Sequence, residues 1–362
     1  MNSRHKVINA SSHDLRQLAD DSIDLVVTSP PYPMIGMWDD LFSRLQPEIQ
    51  RALQQGHDER AFECMHMELE KTWSGLRRVV KPGGIVCINV GDATRTTEDD
   101  FKLWSNHARI IKWFTTNGFT NLPNIIWRKP TNAPNKFMGS GMLPAGAYVT
   151  LEHEYILIFR KGGKRKFDSG HEKLNRQQSA VFWEERNQWF SDIWELAGTK
   201  QKLGIKSSRE RSAAYPFEIP YRLINMFSVK GDTILDPFLG TGTTTMAAIA
   251  SARNSIGYEL DSTLLTDFVQ LTVTEEQTHT LNKVIQARLQ NHLEFVEYRK
   301  KQKGEDAFRH LNIPYGFQVM TSQERDLTLN YVTAVRQQGD ILTVEYTAEA
   351  LMLPPLKKAE QV

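Results

Sequence analysis

Short apolar runs alternate with helix-like patterns along the first 160 residues of the chain. Val7-Ile8, Ile23 to Val27 and Ile85 to Val90 are brief, mostly β-branched runs, and such runs predict buried strands. From Met37 to Val80 apolar residues recur at helical spacing, and Lys81-Pro82-Gly83-Gly84 then forms a strong stop signal. This alternation predicts a doubly wound, mostly parallel α/β sheet with helices on both faces.

Further elements are predicted from the same two periodicities. We expect a helical turn over Asp14 to Leu18, helices over Phe101 to Asn117, Pro220 to Phe227, Thr245 to Ala252 and Leu264 to Lys303, and strands over Asn124 to Arg128, Tyr155 to Arg160, Thr233 to Asp236 and Ile341 to Tyr346.

The chain divides into four segments by pattern and composition. Residues 1–160 carry the regular alternation, which fails in the basic segment 161–211 and returns in residues 212–263. Residues 264–362 are a polar, mostly helical C-terminal extension. We therefore expect two halves of one domain, separated by an insertion and followed by an extension.

Composition limits the classes of function. The net charge of the 362 residues is only +1, so any nucleic-acid surface has to be a local patch. Cys64 and Cys87 lack the spacing of a metal site and do not make a disulfide framework, so we expect no metal. Neither a signal-peptide core nor a run of transmembrane length is present, which predicts a cytoplasmic protein without a membrane partner.

A glycine-rich loop lies in the stretch DTILDPFLGTGTTTMAAIASARNSIGYELD, residues 232–261, which has the pattern strand, turn, helix, strand. Gly240 and Gly242 allow a sharp turn and a close approach of the backbone to a ligand. Thr243 or Thr244 is expected to cap the following helix, whose free amides suit an anion such as a carboxylate.

Two acidic residues flank this loop. Asp236 lies at the carboxyl end of its strand, where open α/β sheets bind ligands, and Glu259 ends the next strand, a place typical of ribose recognition. A triphosphate loop is disfavoured because no lysine follows Gly242, and a dinucleotide fingerprint lacks its third glycine. A nucleoside that carries an amino acid, S-adenosylmethionine, fits better; the alternative is a turn that only joins strand to helix.

The peptide Ser29-Pro30-Pro31-Tyr32 stands at the end of the strand predicted over Ile23 to Val27. Proline fixes φ and holds the preceding residue extended, so the peptide is stiff and presents a hydroxyl and carbonyls. We expect the Ser29 hydroxyl and the Pro30 carbonyl to accept the two hydrogens of an exocyclic amine. The Tyr32 ring is expected to stack on an extruded base. The alternative is a rigid turn that only ends a strand.

At these residues the chain resembles the DNA amino-methyltransferases, which methylate N4 of cytosine or N6 of adenine. TSPPY, residues 28–32, is similar to their catalytic motif, and DPFLGTGTT, residues 236–244, to their cofactor motif. The order of the motifs resembles that of the beta group, and EHEYILIFRKG at 152–162 resembles the strand before the target-recognition region. The likeness covers residues 5–262 and implies the methyltransferase fold.

The resemblance also implies the residues of the site. Ser29, Pro30, Pro31 and Tyr32 would hold the target base. The residues implied to line the cofactor S-adenosylmethionine are Thr28, Asp236, Pro237, Phe238, Gly240, Thr241, Gly242, Thr243, Thr244 and Glu259. Residues 1–160 would be the catalytic half and residues 212–263 the cofactor half. A family Gly-Asp pair is replaced here by Asn9-Ala10-Ser11, so an acidic contact to the adenine end is in doubt.

The serine form of the motif is typical of N4-cytosine enzymes, and we expect methylation of that amine in double-stranded DNA. Alternatives are N6-adenine methylation, a DNA-binding protein without turnover, and a small-molecule or RNA methyltransferase. A C5-cytosine enzyme is disfavoured because neither cysteine follows a proline.

The basic segment 161–211, with Phe182, Trp183, Trp189 and Trp194, is the predicted target-recognition region. The alternatives are a solvated face and a small local core. For the extension, 264–362, a scaffold or dimerisation helix and a DNA-contact role stay open, as do a homodimer and a partner restriction endonuclease.

Overall fold

The computed structural model describes residues 1–97, 100–129, 138–198 and 215–349. The helices of this part are α1 (Asp39–Leu45), α2 (Pro47–Gln54), α3 (Asp58–Val79), α4 (Asn106–Thr116), α5 (Gly170–Gln178), α6 (Trp183–Trp189), α7 (Glu218–Phe227), α8 (Thr243–Ala250), α9 (Ser262–Thr272) and α10 (Glu275–Lys303).

The strands of the described residues are β1 (Asn2–Asn9), β2 (Ile23–Thr28), β3 (Val80–Val90), β4 (Ala93–Thr97), β5 (Asp100–Trp104), β6 (Phe119–Asn121), β7 (Ile125–Arg128), β8 (Met138–Gly139), β9 (Ala147–Tyr148), β10 (His153–Lys161), β11 (Ile193–Glu195), β12 (Thr233–Asp236), β13 (Asn254–Glu259), β14 (His310–Leu311), β15 (Gln318–Val319), β16 (Tyr331–Gln338) and β17 (Ile341–Thr347). Short 3-10 turns span Gly36–Trp38, Glu305–Ala307 and Ser322–Glu324.

One large sheet organises the described chain, in the order β11-β7-β10-β3-β2-β12-β13-β1-β17-β16, with β6 also paired to β10. Its centre is parallel, from β3 through β2, β12 and β13 to β1, and β10 and β17 add antiparallel strands on either side. The predicted doubly wound, mostly parallel α/β fold is confirmed.

The two sides of β2 feed two separate cores. Leu25 and Val27 pack in one cluster with α7 and α8, whereas Val26 packs in another with α3 and α4. Because alternate residues of a strand point to opposite faces, a wholly apolar strand with helices on both faces is the expected result.

The strand register brings the two motifs together. β2 and β12 are parallel neighbours, with Leu25 opposite Ile234 and Val26 opposite Leu235. The loops after Thr28 and Asp236 therefore leave the sheet at the same edge, at the carboxyl ends of adjacent strands.

Several local predictions were wrong. Residues 14–18 form turns rather than a helical turn, and Asp100–Trp104 pairs with β4 as a hairpin, so the helix predicted from Phe101 begins at Asn106. The long helix predicted over 264–303 is two helices, because Thr274 caps a new start by accepting from the Gln277 amide.

The C-terminal extension is part of the sheet. β17 pairs antiparallel with β1, with Ser3 opposite Val344, and β16 follows as the edge strand. Ile285 and Leu289 of α10 pack with Leu327 and Leu329 in a third core. Among the described residues, no helix combines the length and apolarity needed to cross a bilayer.

Candidate active site

A cavity of about 560 Å³ lies at the carboxyl edge of the sheet, where both motifs meet. From the proline-rich peptide it is lined by Ser29 and Pro31, and from the glycine-rich loop and its flank by Asp236, Pro237, Phe238, Gly240, Thr241, Thr243, Thr244 and Glu259. The volume is in the range of cofactor sites. Of the predicted site residues, Thr28, Pro30, Tyr32 and Gly242 do not line it.

Asp236 is the buried link between the two strands. Its carboxylate accepts from the Thr28 hydroxyl at 2.6 Å, the Thr244 hydroxyl at 2.5 Å and the Phe238 amide at 3.1 Å. Burial raises the pKa of Asp236 to about 6, while the Thr244 and Thr28 hydroxyls oppose the rise. Thr28 therefore acts through Asp236, which ties the end of β2 to the end of β12.

The two glycines of the loop have different surroundings. At Gly240, φ is +54° and an added Cβ would meet nothing closer than the Phe238 carbonyl oxygen at 4.0 Å, so this glycine faces open space. At Gly242, φ is +80° and a Cβ would lie 2.1 Å from the Phe268 ring. The close approach that Gly242 permits is to α9 of the same chain.

The predicted helix cap was wrong. Gly242 is the N-cap of α8, and no side chain caps this helix. The Thr244 hydroxyl instead bonds to Asp236 and to the Tyr215 hydroxyl. The threonine side chain thus stabilises the strand end rather than the helix start.

Glu259 binds the backbone of the glycine-rich loop. Its two carboxylate oxygens each accept one backbone amide, from Gly240 and from Asp261, both at 2.9 Å. A carboxylate oxygen can accept more than one hydrogen bond, so both remain able to take ligand hydroxyls.

The proline-rich peptide is held by polar side chains of other elements. Asn106, which is fully buried, donates to the carbonyls of Pro33 and Gly91, both at 3.0 Å, and thereby joins the peptide to the end of β3. His66 Nε2 bonds to the Asn106 side-chain oxygen at 3.0 Å, and burial lowers the pKa of His66 to about 3, so this ring is neutral.

The Ser29 side chain belongs to a polar cluster. Its hydroxyl lies 3.0 Å from the Tyr32 hydroxyl, which lies 2.8 Å from Glu154 Oε2. Asn89 Nδ2 is 2.7 Å from the Tyr32 hydroxyl and 2.6 Å from Glu154 Oε2, and Lys129 pairs with the other Glu154 oxygen. Sequence reasoning missed Asn89, Lys129 and Glu154, although Glu154 stands in the quoted stretch 152–162.

A sequence model of the N6/N4 DNA methylases matches residues 23–270. The chain belongs to this family of DNA methylases. The predicted membership of the DNA amino-methyltransferases is thereby confirmed, and the match includes both motifs that line the cavity.

Two relatives resemble the methylase along most of their length. It is 50% identical over 333 residues to the Type II methyltransferase M.MthZI of Methanothermobacter thermautotrophicus, a match that covers 91% of each chain. It is also 50% identical over 273 residues to the Type II methyltransferase M.MjaI of Methanocaldococcus jannaschii, covering 72% of this chain and 89% of the relative.

Solved structures share the fold. The putative DNA modification methylase TTHA0409 of Thermus thermophilus, in complex with S-adenosylmethionine, has a TM-score of 0.58 at 29% identity and covers 76% of this chain and 94% of its own. The cytosine-N4-specific PvuII DNA methyltransferase has a TM-score of 0.51 at 18% identity, covering 78% and 93%, which is a likeness of fold alone.

Some cavity residues of the methylase were not among the predicted site residues. Tyr215 lies three residues before α7, whereas Trp38 and Asp40 come from the helical stretch after the proline-rich peptide. Ala10 and Ser11, which stand where the resemblance led us to expect an acidic residue, line the cavity.

The predicted target-recognition region, residues 161–211, reaches both edges of the sheet. Arg165 donates to Asp232 at 2.6 Å, and Asp232 directly precedes β12, so this part lies at the edge opposite the cavity. β11 runs parallel to β7 and ends at Glu195 on the cavity side. Residues 199–211 lie outside the described residues.

Three of the four aromatic residues predicted for this region are buried inside the methylase, and Trp183 is half-buried. Phe182, Trp189 and Trp194 are buried, and Phe182 stacks on His292 of α10 with ring centroids 4.0 Å apart. Arg288 of α10 forms a buried ion pair with Glu185 of α6. Helix α10 therefore packs against α6 and the residue before it.

The cysteines of the methylase are buried and free. Burial raises the pKa of both thiols, and Cys87 is the more strongly affected. A thiol that stays protonated is a poor nucleophile, in accord with a reaction that uses no cysteine adduct.

Proposed function

We propose that this methylase transfers a methyl group from S-adenosylmethionine to the N4 amine of cytosine in double-stranded DNA. One observation carries the proposal: Ser29 of the proline-rich peptide and the loop 236–244 line the same cavity. A methyl donor on the loop and an amine on the peptide would then meet within one space. The serine that opens the motif favours cytosine over adenine through its resemblance to the N4-cytosine enzymes.

S-adenosylmethionine is the cofactor, and the donor set of the cavity suits it. Glu259 would accept its ribose hydroxyls, and Gly240 leaves room for its amino-acid end above the loop. The remaining residues proposed to contact or support the cofactor are Thr28, Asp236, Pro237, Phe238, Thr241, Gly242, Thr243 and Thr244, of which Thr28 and Gly242 act through protein neighbours.

The target amine would be held by Ser29 and the Pro30 carbonyl. A nucleobase amine is a weak nucleophile because its lone pair is delocalised into the ring, and two acceptors on its hydrogens favour a pyramidal nitrogen. When bound, S-adenosylmethionine supplies a methyl group on a positively charged sulfur. The N–CH₃ bond forms as the S–CH₃ bond breaks, and the amine releases one proton to water, so catalysis is positioning and electrostatics.

The base has to leave the duplex to reach this cavity. We propose that Pro31 and Tyr32 help to hold the extruded base. Within the described part of segment 161–211, we propose base contacts for residues 193–198, because β11 ends on the cavity side while Arg165 lies at the opposite edge. We also propose domain boundaries at 160/161, 211/212 and 263/264.

Partners are proposed from the relatives. M.MthZI and M.MjaI are Type II methyltransferases, and by likeness to them we propose that the chain protects DNA against a partner restriction endonuclease. A homodimer is a further proposal.

The test is methylation of unmodified double-stranded DNA with S-adenosylmethionine carrying a labelled methyl group. After digestion to nucleosides, mass spectrometry separates N4-methyldeoxycytidine from N6-methyldeoxyadenosine. We expect label in the former; label in the latter would overturn the assignment of the base, and transfer that survives nuclease removal of DNA would overturn the assignment of the substrate.

Ser29→Ala is the matched variant, with Ser74→Ala on the exposed face of α3 as its control. We expect Ser29→Ala to lower kcat by about 100-fold, as for loss of one preorganised hydrogen bond, with unchanged Kd for S-adenosylmethionine. An unchanged kcat would contradict the role of Ser29.

A further inference from the structure

Glu154 ends a hydrogen-bond chain that begins at the Ser29 hydroxyl. The chain runs from Ser29 to the Tyr32 hydroxyl over 3.0 Å and from there to Glu154 Oε2 over 2.8 Å. Glu154 is the second residue of β10, its side chain is 13% exposed, and it forms an ion pair with Lys129. The three residues come from two separate parts of the sequence, and the pairing of both β2 and β10 with β3 brings them together.

The chemistry of Glu154 sets the direction of this chain. A carboxylate that is paired with an ammonium group can only accept hydrogen bonds, so the Tyr32 hydroxyl donates to it. Burial raises the pKa of the Tyr32 phenol well above its usual value, and the Glu154 charge acts in the same direction, so Tyr32 keeps the proton that it donates. Having one hydrogen, the Tyr32 oxygen can only accept from Ser29.

Asn89 favours the same direction of the hydrogen bonds. Its amide nitrogen lies 2.6 Å from Glu154 Oε2, and a carboxylate cannot donate, so the nitrogen has to face this way. The second hydrogen of that nitrogen then points to the Tyr32 hydroxyl at 2.7 Å. The Tyr32 oxygen thus accepts from Asn89 and Ser29 and donates to Glu154.

We propose that Glu154 is a positioning residue that keeps the Ser29 hydroxyl a hydrogen-bond acceptor toward the target amine. With its single hydrogen committed to Tyr32, Ser29 presents only lone pairs to the cavity that it lines. A free serine hydroxyl would instead divide its time between donating and accepting. This inference rests on the proposed function, in which Ser29 accepts from the amine.

Glu154→Gln tests the inference. The glutamine amide can donate to the Tyr32 oxygen, which would allow the chain to reverse and the Ser29 hydrogen to point at the amine. We expect kcat to fall about 10- to 100-fold, with Kd for S-adenosylmethionine and KM for DNA within about twofold of the wild type. Glu152→Gln is the matched control, since Glu152 is paired with Arg128 at 3.7 Å, and it should leave kcat unchanged.

Tyr32→Phe provides the second readout and replaces Glu154→Gln if that variant does not fold. It keeps the ring but removes the hydroxyl that links Ser29 to Glu154, so we expect a similar loss of kcat. The double variant Tyr32→Phe/Glu154→Gln should be no slower than Tyr32→Phe alone, because losses of kcat from residues of one hydrogen-bond chain are not additive.

Wild-type kcat in Glu154→Gln, or fully additive losses in the double variant, would overturn the positioning role. Failure of the proposed function is distinguishable from these results. It would appear in the wild-type enzyme, as an absence of methyl transfer to a DNA amine, before any variant is compared.

Discussion

Gly242 is a loop glycine whose missing side chain makes room for a helix of the same chain. An added Cβ would lie 2.1 Å from Phe268 Cδ2 and 2.3 Å from Cε2, and φ is +80°. Carbon atoms ordinarily approach to about 3.5–4.0 Å, so the overlap exceeds about 1 Å. Phe268 is 3% exposed within the core and cannot swing into solvent. We therefore expect Gly242→Ala to destabilise the fold.

The cost has two parts. A left-handed backbone with a Cβ costs about 1–2 kcal/mol, and forcing an extra methyl into a packed core costs about 1–3 kcal/mol. The free energy of unfolding of Gly242→Ala should thus fall by about 2–5 kcal/mol, as measured by urea titration of the ligand-free protein.

Gly240→Ala is the matched control for backbone strain. Gly240 also has positive φ, +54°, but its added Cβ meets no atom closer than 4.0 Å and enters the cavity. Its free energy of unfolding should fall by only about 1–2 kcal/mol. Its affinity for S-adenosylmethionine, measured by calorimetry, should decrease.

The two glycines therefore separate stability from binding. Adding Phe268→Ala to Gly242→Ala should cost less than the sum of the two single variants, since it removes the overlapping ring. If Gly242→Ala unfolds like the wild type yet loses the cofactor, Gly242 faces the ligand and the reasoning is wrong.

Three further predictions test other parts of the molecule. Burial raises the pKa of Asp236 to about 6, so its contribution to stability is fully present below about pH 4 and is lost as the pH rises to 6. Relative to Asp236→Asn, the free energy of unfolding of the wild type should rise by up to about 3 kcal/mol between pH 7 and pH 4, as measured by urea titration. A difference between the two proteins that stays constant with pH would contradict the raised pKa. Arg288→Met leaves Glu185 buried without its partner and should cost about 3–5 kcal/mol of unfolding free energy, most of it recovered by adding Glu185→Gln; an unchanged single variant would show that the pair is dispensable. Lys164 and Lys166 lie at the edge of the sheet opposite the cavity. Lys164→Ala and Lys166→Ala should therefore leave KM for DNA within about twofold of the wild type over a salt series, and a marked rise in KM would place DNA at that edge.

The location of the cavity followed from local signals. The strand before Ser29 and the strand before the glycine loop are short apolar runs with turn chemistry at their ends, and both were found. Parallel strands place their carboxyl ends on one edge, so the meeting of Ser29 with Gly240 could be expected from the two patterns alone.

Signals of the same local kind failed where a distant partner decided the outcome. Residues 100–104 have a helix-like pattern, yet they pair with β4 as a hairpin. The strand β16 was not predicted at all, since its place depends on distant partners: it pairs with β17 at the sheet edge, and Asn282 of α10 bonds both backbone groups of Val332. Short segments have weak intrinsic preferences, and pairing with another segment overrides them.

The sequence by itself determined the class of fold, the two motifs and the chemistry for which their residue types are suited, because periodicity, proline stiffness and glycine turns act over a few residues. Only the tertiary structure decided which side chains support those motifs. Glu154 reaches Tyr32 from 122 positions away, and Phe268 occupies the space beside Gly242. Such contacts depend on strand register and helix packing, which arise from the whole core at once and leave no periodic trace in either partner.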